Sequence, residues 1–359
     1  MSETFWQYPA ATFILAVLLT AAVKPVLRHL GFWNAKDSEH DQPVVRGGGI
    51  AVALALLAAG YGFAFLRYPE FVGRLNRFLP AALMVLVTGI IDDRWGIRAQ
   101  KKLLLQALAM LALWLGGFRI HYLLGWHLGD FSSIMLTVFW GVSVLNAFNL
   151  IDGLDGLCTG NAMIAAGAFL AITLLTHNRE IAFFSLLLGG ACAGFLVFNF
   201  HPAKIFLGDT GSLFLGLTCT ALSLRANGGY FNITNTAVLL LIFWIPFCDM
   251  GLAVWRRKVK ALLKSSGCEI MERDMYHTHY RLKNMIHSHT GAVLIMWFGM
   301  VSFDFFALLI FIMATTKFTL LISLAISLFT LLTMARYEIS YTLCLLRHYA
   351  GRMIRKLAA

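Results

Sequence analysis

The stretch NAFNLIDGLDGL, Asn146 to Leu157, sets two amides and two carboxylates where a long apolar run ends. Acids are scarce in this chain, with Asp and Glu together numbering 18 of 359 residues. A charge at the edge of an apolar segment is costly and usually has a task. Asp152 and Asp155, spaced i and i+3, share a face if that stretch is helical. Gly153 and Gly156 favour a turn that brings backbone N–H groups toward a ligand. The plainer alternative is an Asp N-cap that starts the next helix.

Three other segments carry comparable chemistry. Asp92 and Asp93 are adjacent carboxylates after Gly89, and their mutual repulsion suits them to take up a proton or a cation. A solvated pair capping the next helix is the alternative reading. Phe206 to Gly216, FLGDTGSLFLG, opens an apolar run with Gly-Asp-Thr-Gly-Ser. The first turn of a helix attracts anions, while Asp209 attracts a cation, and the combination suits a metal–phosphate complex. Mg²⁺ is the natural candidate, because it is commonly held by one or two carboxylates plus substrate phosphates. Lys102, Lys204, Arg46 and Arg281 could neutralise the remaining phosphate charge. His277 and His279 stand in DMYHTHYRL, followed by His287 and His289. No cysteine or acid cluster completes a zinc set there, and Arg281 favours an anion. Arg46-Gly47-Gly48-Gly49 lacks the GK[ST] ending of a phosphate-binding P-loop. Asp249, near the end of an apolar run, reads equally as a structural partner of Arg256 or Arg257 and as a catalytic acid.

The elements that must position these groups are membrane spans. The chain is 59% hydrophobic and 13% charged, with a mean hydropathy of +0.74, which excludes an ordinary soluble domain. About eleven segments have the roughly 17–25-residue length of a transmembrane helix. They centre near Ala16, Leu56, Val85, Leu111, Trp140, Ala166, Leu188, Leu217, Phe243, Phe298 and Ile326. The fold class expected is an all-α polytopic integral membrane protein, since such runs do not alternate as barrel strands do. MSETFWQY lacks the basic start of a signal peptide, so the first span is expected to be retained.

Most of the 29 basic residues fall in alternate gaps between spans. The opposite gaps hold only Arg67, Arg74, Arg77, Arg119, Arg179, Arg225 and Lys317. The positive-inside rule makes the richer side cytoplasmic, with the N-terminus outside and the C-terminus inside. The expected organisation is one membrane domain over residues 1–335, with a cytoplasmic loop at about 256–289. A basic amphipathic tail over 336–359 is expected to lie on anionic lipid. The six cysteines, Cys158, Cys192, Cys219, Cys248, Cys268 and Cys344, have no metal or disulfide spacing and read as small buried hydrophobes. On this topology every unusual polar group falls in a cytoplasmic gap, which predicts one shared site at the cytoplasmic face.

NAFNLIDGLDGL, HPAKIFLGDTGSLFLG and DMYHTHYRLKNMIHSHTGAVL, in this order, resemble the polyprenyl-phosphate N-acetylhexosamine-1-phosphate transferases of glycosyltransferase family 4. The branch resembled most starts O-antigen, common-antigen or teichoic-acid linkage units; the phospho-MurNAc-pentapeptide enzymes are more distant. The resemblance runs from Pro43 to about Leu294. It implies transfer of an amino-sugar 1-phosphate, foremost N-acetylglucosamine 1-phosphate, from a UDP-sugar to undecaprenyl phosphate with release of UMP. GalNAc, FucNAc, QuiNAc or phospho-MurNAc-pentapeptide are alternative transferred groups. The cofactor implied is Mg²⁺, with Mn²⁺ as a substitute. The setting implied is multi-pass in a bacterial cytoplasmic (inner) membrane, with a homodimer left open and no nucleic-acid partner.

By position, the resemblance makes Asp209 a metal ligand and Asn149 an amide near metal and diphosphate. It gives Asp92 and Asp93 the place of the catalytic base. Lys102 falls at a phosphate contact, and Asn146 and Arg46 join the substrate-binding set. Asp152 and Asp155 match acids that shape a nucleoside pocket, and Phe206 matches an aromatic that stacks on uracil. His277, His279 and Arg281 match a loop that closes over the sugar nucleotide. Three positions depart from the family pattern. Tyr280 replaces a third loop histidine, SEHDQPVVRGGG shortens the lead to Arg46, and Met250 follows Asp249 where threonine is usual. The rival class is a transporter or lipid flippase, which would place its carboxylates near mid-membrane on broken helices with internal repeats. Rim carboxylates and the lack of a repeat favour the enzyme.

Overall fold

A chain this apolar must satisfy its backbone groups internally, and the computed structural model does so almost entirely with helices. It describes residues 6–33, 43–226, 228–262 and 277–313, and parts of 321–336. The expected span centred on Ile326 is described only in part, and the middle of the 256–289 loop and nearly all of the 336–359 tail lie outside the described residues.

The helices are α1 (Gln7–His29), α2 (Gly49–Arg67), α3 (Val72–Trp95), α4 (Ala99–Leu115), α5 (Asp130–Ile151) and α6 (Leu157–Thr176). They continue with α7 (Arg179–Asn199), α8 (Gly208–Ala226), α9 (Ile233–Ile242), α10 (Trp244–Leu262), α11 (Thr278–Ile286) and α12 (His289–Ile312). Among the described residues seven helices are long and apolar enough to cross a membrane: α1, α2, α3 with its leading turn, α5, α6, α7 and α12. The pair α9–α10, bent by 78°, makes an eighth if counted as one broken span. The polytopic helical fold stands; the count of about eleven does not follow from these helices alone. The helices expected near Leu111 and Leu217 exist as α4 and α8 but fall below that standard. The first has only 17 residues, and the second carries glycine, threonine and serine along its length.

That polarity explains the place of α8. All of its residues from Thr210 to Leu224 are buried, with α3, α5, α6 and α2 packed around it. Its hydroxyls turn back on the helix: Thr218 donates to the Phe214 carbonyl at 2.9 Å, and Thr220 to the Gly216 carbonyl at 2.8 Å. A helix surrounded by others needs small residues more than apolar ones, because close backbone approach replaces the hydrophobic drive inside a bilayer. Its neighbours supply them where it begins. A Cβ on Gly49 of α2 would collide with the Gly211 backbone, and one on Gly89 of α3 with that of Thr210. The start of α8 is therefore pressed between α2 and α3.

At the far end of the bundle a small sheet closes the connections. Its strands β1 (Tyr122–Leu123), β2 (Trp126–His127) and β3 (Tyr230–Phe231) run in the order β2-β1-β3. The first pairing is antiparallel and the second parallel. Tyr122 and Tyr230 stack across it with centroids 4.4 Å apart.

Candidate active site

The start of α8 is where the polar groups gather. Gly208 has φ +75°, a left-handed turn that suits glycine, and a Cβ there would strike the Asp93 carboxylate. From that turn the first N–H groups of α8 point at Asp93, which ends α3. Asp93 accepts from the Asp209 N–H at 2.8 Å, the Thr210 N–H at 2.9 Å and the Thr210 hydroxyl at 2.6 Å. Arg46 Nε lies 3.1 Å from the same carboxylate, whose side chain is fully buried. Asp93 thus caps α8 from a neighbouring helix, meeting the donors that a helix start leaves unpaired.

Asp92, its neighbour, faces the other way. Its Oδ2 is 2.7 Å from Lys102 Nζ, and its Oδ1 accepts the Ile97 N–H at 2.7 Å. Lys102, in the first turn of α4, also lies 3.2 Å from Asp209 Oδ1 and donates to Asn149 Oδ1 at 3.1 Å. Asn149 donates in turn to Asp209 and, at 3.0 Å, to the Ser212 hydroxyl. Four helices, α3, α4, α5 and α8, send polar groups to this point.

The glycines of Arg46-Gly-Gly-Gly have a different use from a P-loop. Residues 45–49 run beside 205–207: Phe206 N donates to the Val45 carbonyl at 2.8 Å, and Gly48 N to the Phe206 carbonyl at 2.9 Å. Their small size lets this strand-like segment lie against α8 and carry Arg46 to Asp93. Phe206 is half-buried beside it, one turn before Asp209.

Asp152 ends α5 next to this cluster. Burial pushes its carboxyl up to about 8, with Asp209, Asp93 and Asp155 adding repulsion against the pull of Arg46. Four carboxyls, Asp92, Asp93, Asp152 and Asp209, therefore share two cations, Arg46 and Lys102. With Asp152 largely protonated at neutral pH, the other three carboxylates still outnumber the two cations, so the cluster attracts a further cation. Three oxygens already converge on the Lys102 ammonium, from Asp92, Asp209 and Asn149. Hard oxygen donors of this kind suit Mg²⁺, so the residues present fit the expected metal.

Asp155 is turned away from that cluster. Its Oδ2 lies 2.9 Å from His201 Nδ1 and accepts the Ala203 N–H at 3.1 Å. Its own N–H donates to His289 Nε2 at 2.9 Å, and the rings of His201 and His289 stack at 4.1 Å. Asp155 thus ties the NLIDGLDGL turn to the loop before α8 and to the start of α12. Asn146 is also displaced, one turn below Asn149, where it donates to Gln106 Oε1 at 2.7 Å and to the Val142 carbonyl at 2.8 Å. It joins α5 to α4.

The histidine segment reaches the same turn from the other side. His277 Nδ1 is 2.6 Å from Asp249 Oδ2, and the Thr278 N–H donates to Asp249 Oδ1 at 2.7 Å. Asp249 on the broken span therefore fixes the start of α11, a structural role through His277 and Thr278 where the sequence suggested Arg256 or Arg257 as the partner. His279 is fully buried, with its Nε2 against Gly153. Burial pushes its pKa down to about 4, so it stays neutral at ordinary pH. Arg281 and Tyr280 follow on the same helix, half-buried.

Two groups of nitrogen-rich side chains, Asp155 with His201 and His289, and Asp249 with His277 and His279, are close enough to hold an ion. In each, a histidine nitrogen is already hydrogen-bonded to the carboxylate or its N–H, and neither resembles an all-oxygen Mg²⁺ site.

The two perturbed groups have opposite consequences for stability. A carboxyl whose folded pKa is raised costs the native state stability as pH rises from its unfolded value near 4 to about 8. A histidine whose pKa is lowered costs stability as pH falls from about 6.5 to about 4. The two effects oppose each other below about 6.5, and of the two only Asp152 acts between there and 8. The thermal midpoint of metal-free protein is expected to fall across that window, and Asp152→Asn to flatten the fall. An unchanged slope in Asp152→Asn would remove the uncompensated carboxyl.

Several members of the site were absent from the sequence reading as individual residues. Thr210 and Ser212 stand inside the GDTGS motif, and their hydroxyls serve Asp93 and Asn149. Gln106, one helical turn beyond Lys102, was legible from that spacing alone. His201 carried no local signal, since its partner Asp155 is 46 residues away.

A membrane bundle whose helix ends gather carboxylates, an amide and two cations defines a class of integral-membrane enzymes that handle phosphates. Residues 76–227 match the family described as Glycosyl transferase family 4. The chain is 32% identical over 324 residues to the decaprenyl-phosphate N-acetylglucosaminephosphotransferase of Mycobacterium tuberculosis (strain CDC 1551 / Oshkosh), covering 81% of this chain and 79% of that one. It is 31% identical over 303 residues to the probable undecaprenyl-phosphate N-acetylglucosaminyl 1-phosphate transferase of Bacillus subtilis (strain 168), covering 79% and 80%. It is also 31% identical over 305 residues to the phospho-N-acetylmuramoyl-pentapeptide-transferase of Halalkalibacterium halodurans, covering 76% and 87%. The chain belongs to glycosyl transferase family 4.

Proposed function

We propose that this protein transfers N-acetylglucosamine 1-phosphate from UDP-N-acetylglucosamine to undecaprenyl phosphate, releasing UMP. The relatives named for this sugar-phosphate transfer extend over most of the chain. The observation that carries the chemistry is the convergence of Asp92, Lys102, Asn149 and Asp209 at one end of the bundle. That end is assigned to the cytoplasmic face of a bacterial inner membrane, where nucleotide sugars are available. The product would start a cell-envelope polysaccharide.

The reaction asks mainly for positioning and charge neutralisation. An oxygen of the lipid phosphate attacks the sugar-linked phosphorus. The bond from that phosphorus to the oxygen bridging to UMP breaks, and UMP leaves with the bonding pair. Asp92 is placed to take the proton of the incoming phosphate, because Asp93 has its lone pairs committed to α8 and Arg46. Lys102 holds phosphate charge at the reacting end, and Arg46 does so from the Asp93 side. Mg²⁺, held by Asp209 and the Asn149 carbonyl, would supply Lewis-acid stabilisation of the charge that develops on the diphosphate. Asp152 and Phe206 border the space left for the uridine. His277 and Arg281 bring α11 over the sugar nucleotide, while buried His279 props the Gly153 turn beneath it.

The test is UMP release by purified protein given undecaprenyl phosphate and UDP-N-acetylglucosamine. Release is expected only with both substrates and Mg²⁺, and less of it with the GalNAc, FucNAc, QuiNAc or phospho-MurNAc-pentapeptide donors. Preference for another donor reassigns the sugar. Absence of UMP with every donor overturns the reading in favour of transport.

A further inference from the structure

At the end of the bundle opposite Asp209 lies a pocket that transfer chemistry does not use. Leu75, Phe78, Phe118 and Phe184 are prominent in its lining, and its empty volume is about 470 Å³, space at the mouth included. Arg74 from α3, Glu180 from α7 and Arg225 from α8 also line it. Arg74 Nε is 3.3 Å from Glu180 Oε2, and Arg225 Nη2 is 3.4 Å from the same oxygen. Arg77, three residues beyond Arg74, adds its field to that carboxylate. Arg225 Nε is buried and finds no hydrogen-bond partner among the described residues.

A tie between helix ends needs one cation per carboxylate. Here two guanidiniums touch a single carboxylate, so the cluster keeps a positive charge and spare donors. Burying such charge is expensive unless it is matched. Arginine is also scarce in the gaps on this side of the sequence, which makes its concentration around one pocket unusual. An apolar pocket with a cationic cluster, in a chain whose solvent is lipid, complements an anionic head on a hydrocarbon tail.

We propose that this pocket binds an anionic phospholipid, with its phosphate at Arg74 and Arg225 and one acyl chain over Phe78 and Phe184. Arginine pairs the phosphate of either lipid through two parallel N–H bonds, but the ammonium of phosphatidylethanolamine adds a positive charge that the two guanidiniums repel. The inference does not depend on the transferred sugar.

The test is native mass spectrometry of delipidated full-length protein titrated with phosphatidylglycerol, phosphatidylethanolamine or inorganic phosphate. Wild type is expected to hold one phosphatidylglycerol about tenfold more tightly than phosphatidylethanolamine, whose ammonium meets the guanidiniums, a difference of about 1.4 kcal/mol. R74Q/R225Q is expected to lose that preference. Ala221→Phe, which fills the pocket and spares both arginines, is expected to weaken phosphatidylglycerol binding. UMP release by each variant reports that it is folded, since none of these residues touches the transferase site. Equal binding of the two lipids by wild type overturns the proposal, as does an unchanged preference in R74Q/R225Q. Full displacement by inorganic phosphate with no effect of Ala221→Phe reduces the site to a simple anion site and overturns the lipid. Should R74Q/R225Q not fold, Ala221→Phe and the lipid comparison decide.

Discussion

Asp209→Asn is expected to lower Mg²⁺-dependent UMP release by about 10³-fold or more while leaving the protein folded. Asp209 is the carboxylate on which Lys102 and Asn149 converge. It stands on the first turn of the most enclosed helix of the bundle. Asparagine keeps its shape and can still accept from both partners, so packing is preserved. What disappears is one negative charge from a cluster whose carboxylates outnumber its cations. In the metal-free protein burial pushes the Asp209 carboxyl up, but Lys102 and Arg46 hold it below the usual carboxylate range, so losing its charge is expected to lower the thermal midpoint modestly. In the presence of Mg²⁺ the same loss weakens the ion, because carboxylate charge is what holds it. Removing a preorganised electrostatic contact at a reacting centre commonly costs about 10²–10³ in rate, and loss of metal binding adds to it. Two measurements separate these effects: UMP release against Mg²⁺ concentration, and the rise in thermal midpoint that Mg²⁺ produces. Both are expected to vanish in Asp209→Asn. An undiminished rate would remove Asp209 from the metal.

The helices and their polar ends were legible in the sequence because bilayer length and scarcity of charge are one-dimensional signals. Grouping Arg46, Asp92, Asn149, Asp209 and His277 followed from loop parity alone; the first four segments meet around the start of α8, and the histidine segment reaches the Gly153 turn beside them. What each carboxylate does was hidden, because its partner is set by tertiary packing. Asp92 and Asp93 are neighbours in sequence, yet one faces Lys102 and the other caps a helix more than a hundred residues later. Asp152 and Asp155 read as a pair in a turn. One lies by the carboxylate cluster and the other is bonded to His201 and His289, a division that only the course of the loop before α8 decides. The glycines at 47–49 read as an incomplete phosphate loop, whereas Gly49 is small because Gly211 of α8 lies against it. A close backbone approach leaves no mark in a single sequence beyond the glycine itself.

The second large effect is a split between Asp92 and Asp93, which the resemblance treats as one pair. Asp93→Asn should act through assembly. An asparagine there presents its NH₂ group to the Asp209 and Thr210 N–H donors and withdraws the charge that meets Arg46. Breaking a buried pair so that one partner is stranded costs about 3–5 kcal/mol. The thermal midpoint is expected to drop sharply, with activity lost because the start of α8, and Asp209 with it, is no longer held. Asp92→Asn should act through chemistry. Its side chain is 10% exposed against 0% for Asp93, and Lys102 and the Ile97 N–H use different oxygens of it, so the single amide oxygen keeps one of these contacts and the loss is smaller than at Asp93. Loss of a general base commonly costs about 10²–10⁴ in rate. The expectation is therefore a fall of that size in kcat, with a near-native midpoint and little change in KM for the UDP-sugar. Thermal melts and steady-state kinetics on both variants give the answer. A stable but inactive Asp93→Asn, paired with an active Asp92→Asn, would hand the base to Asp93 and leave α8 to be anchored by its glycine contacts alone. Substantial activity in both would mean that the lipid phosphate reaches the site already deprotonated, so that the enzyme supplies position and charge and no base.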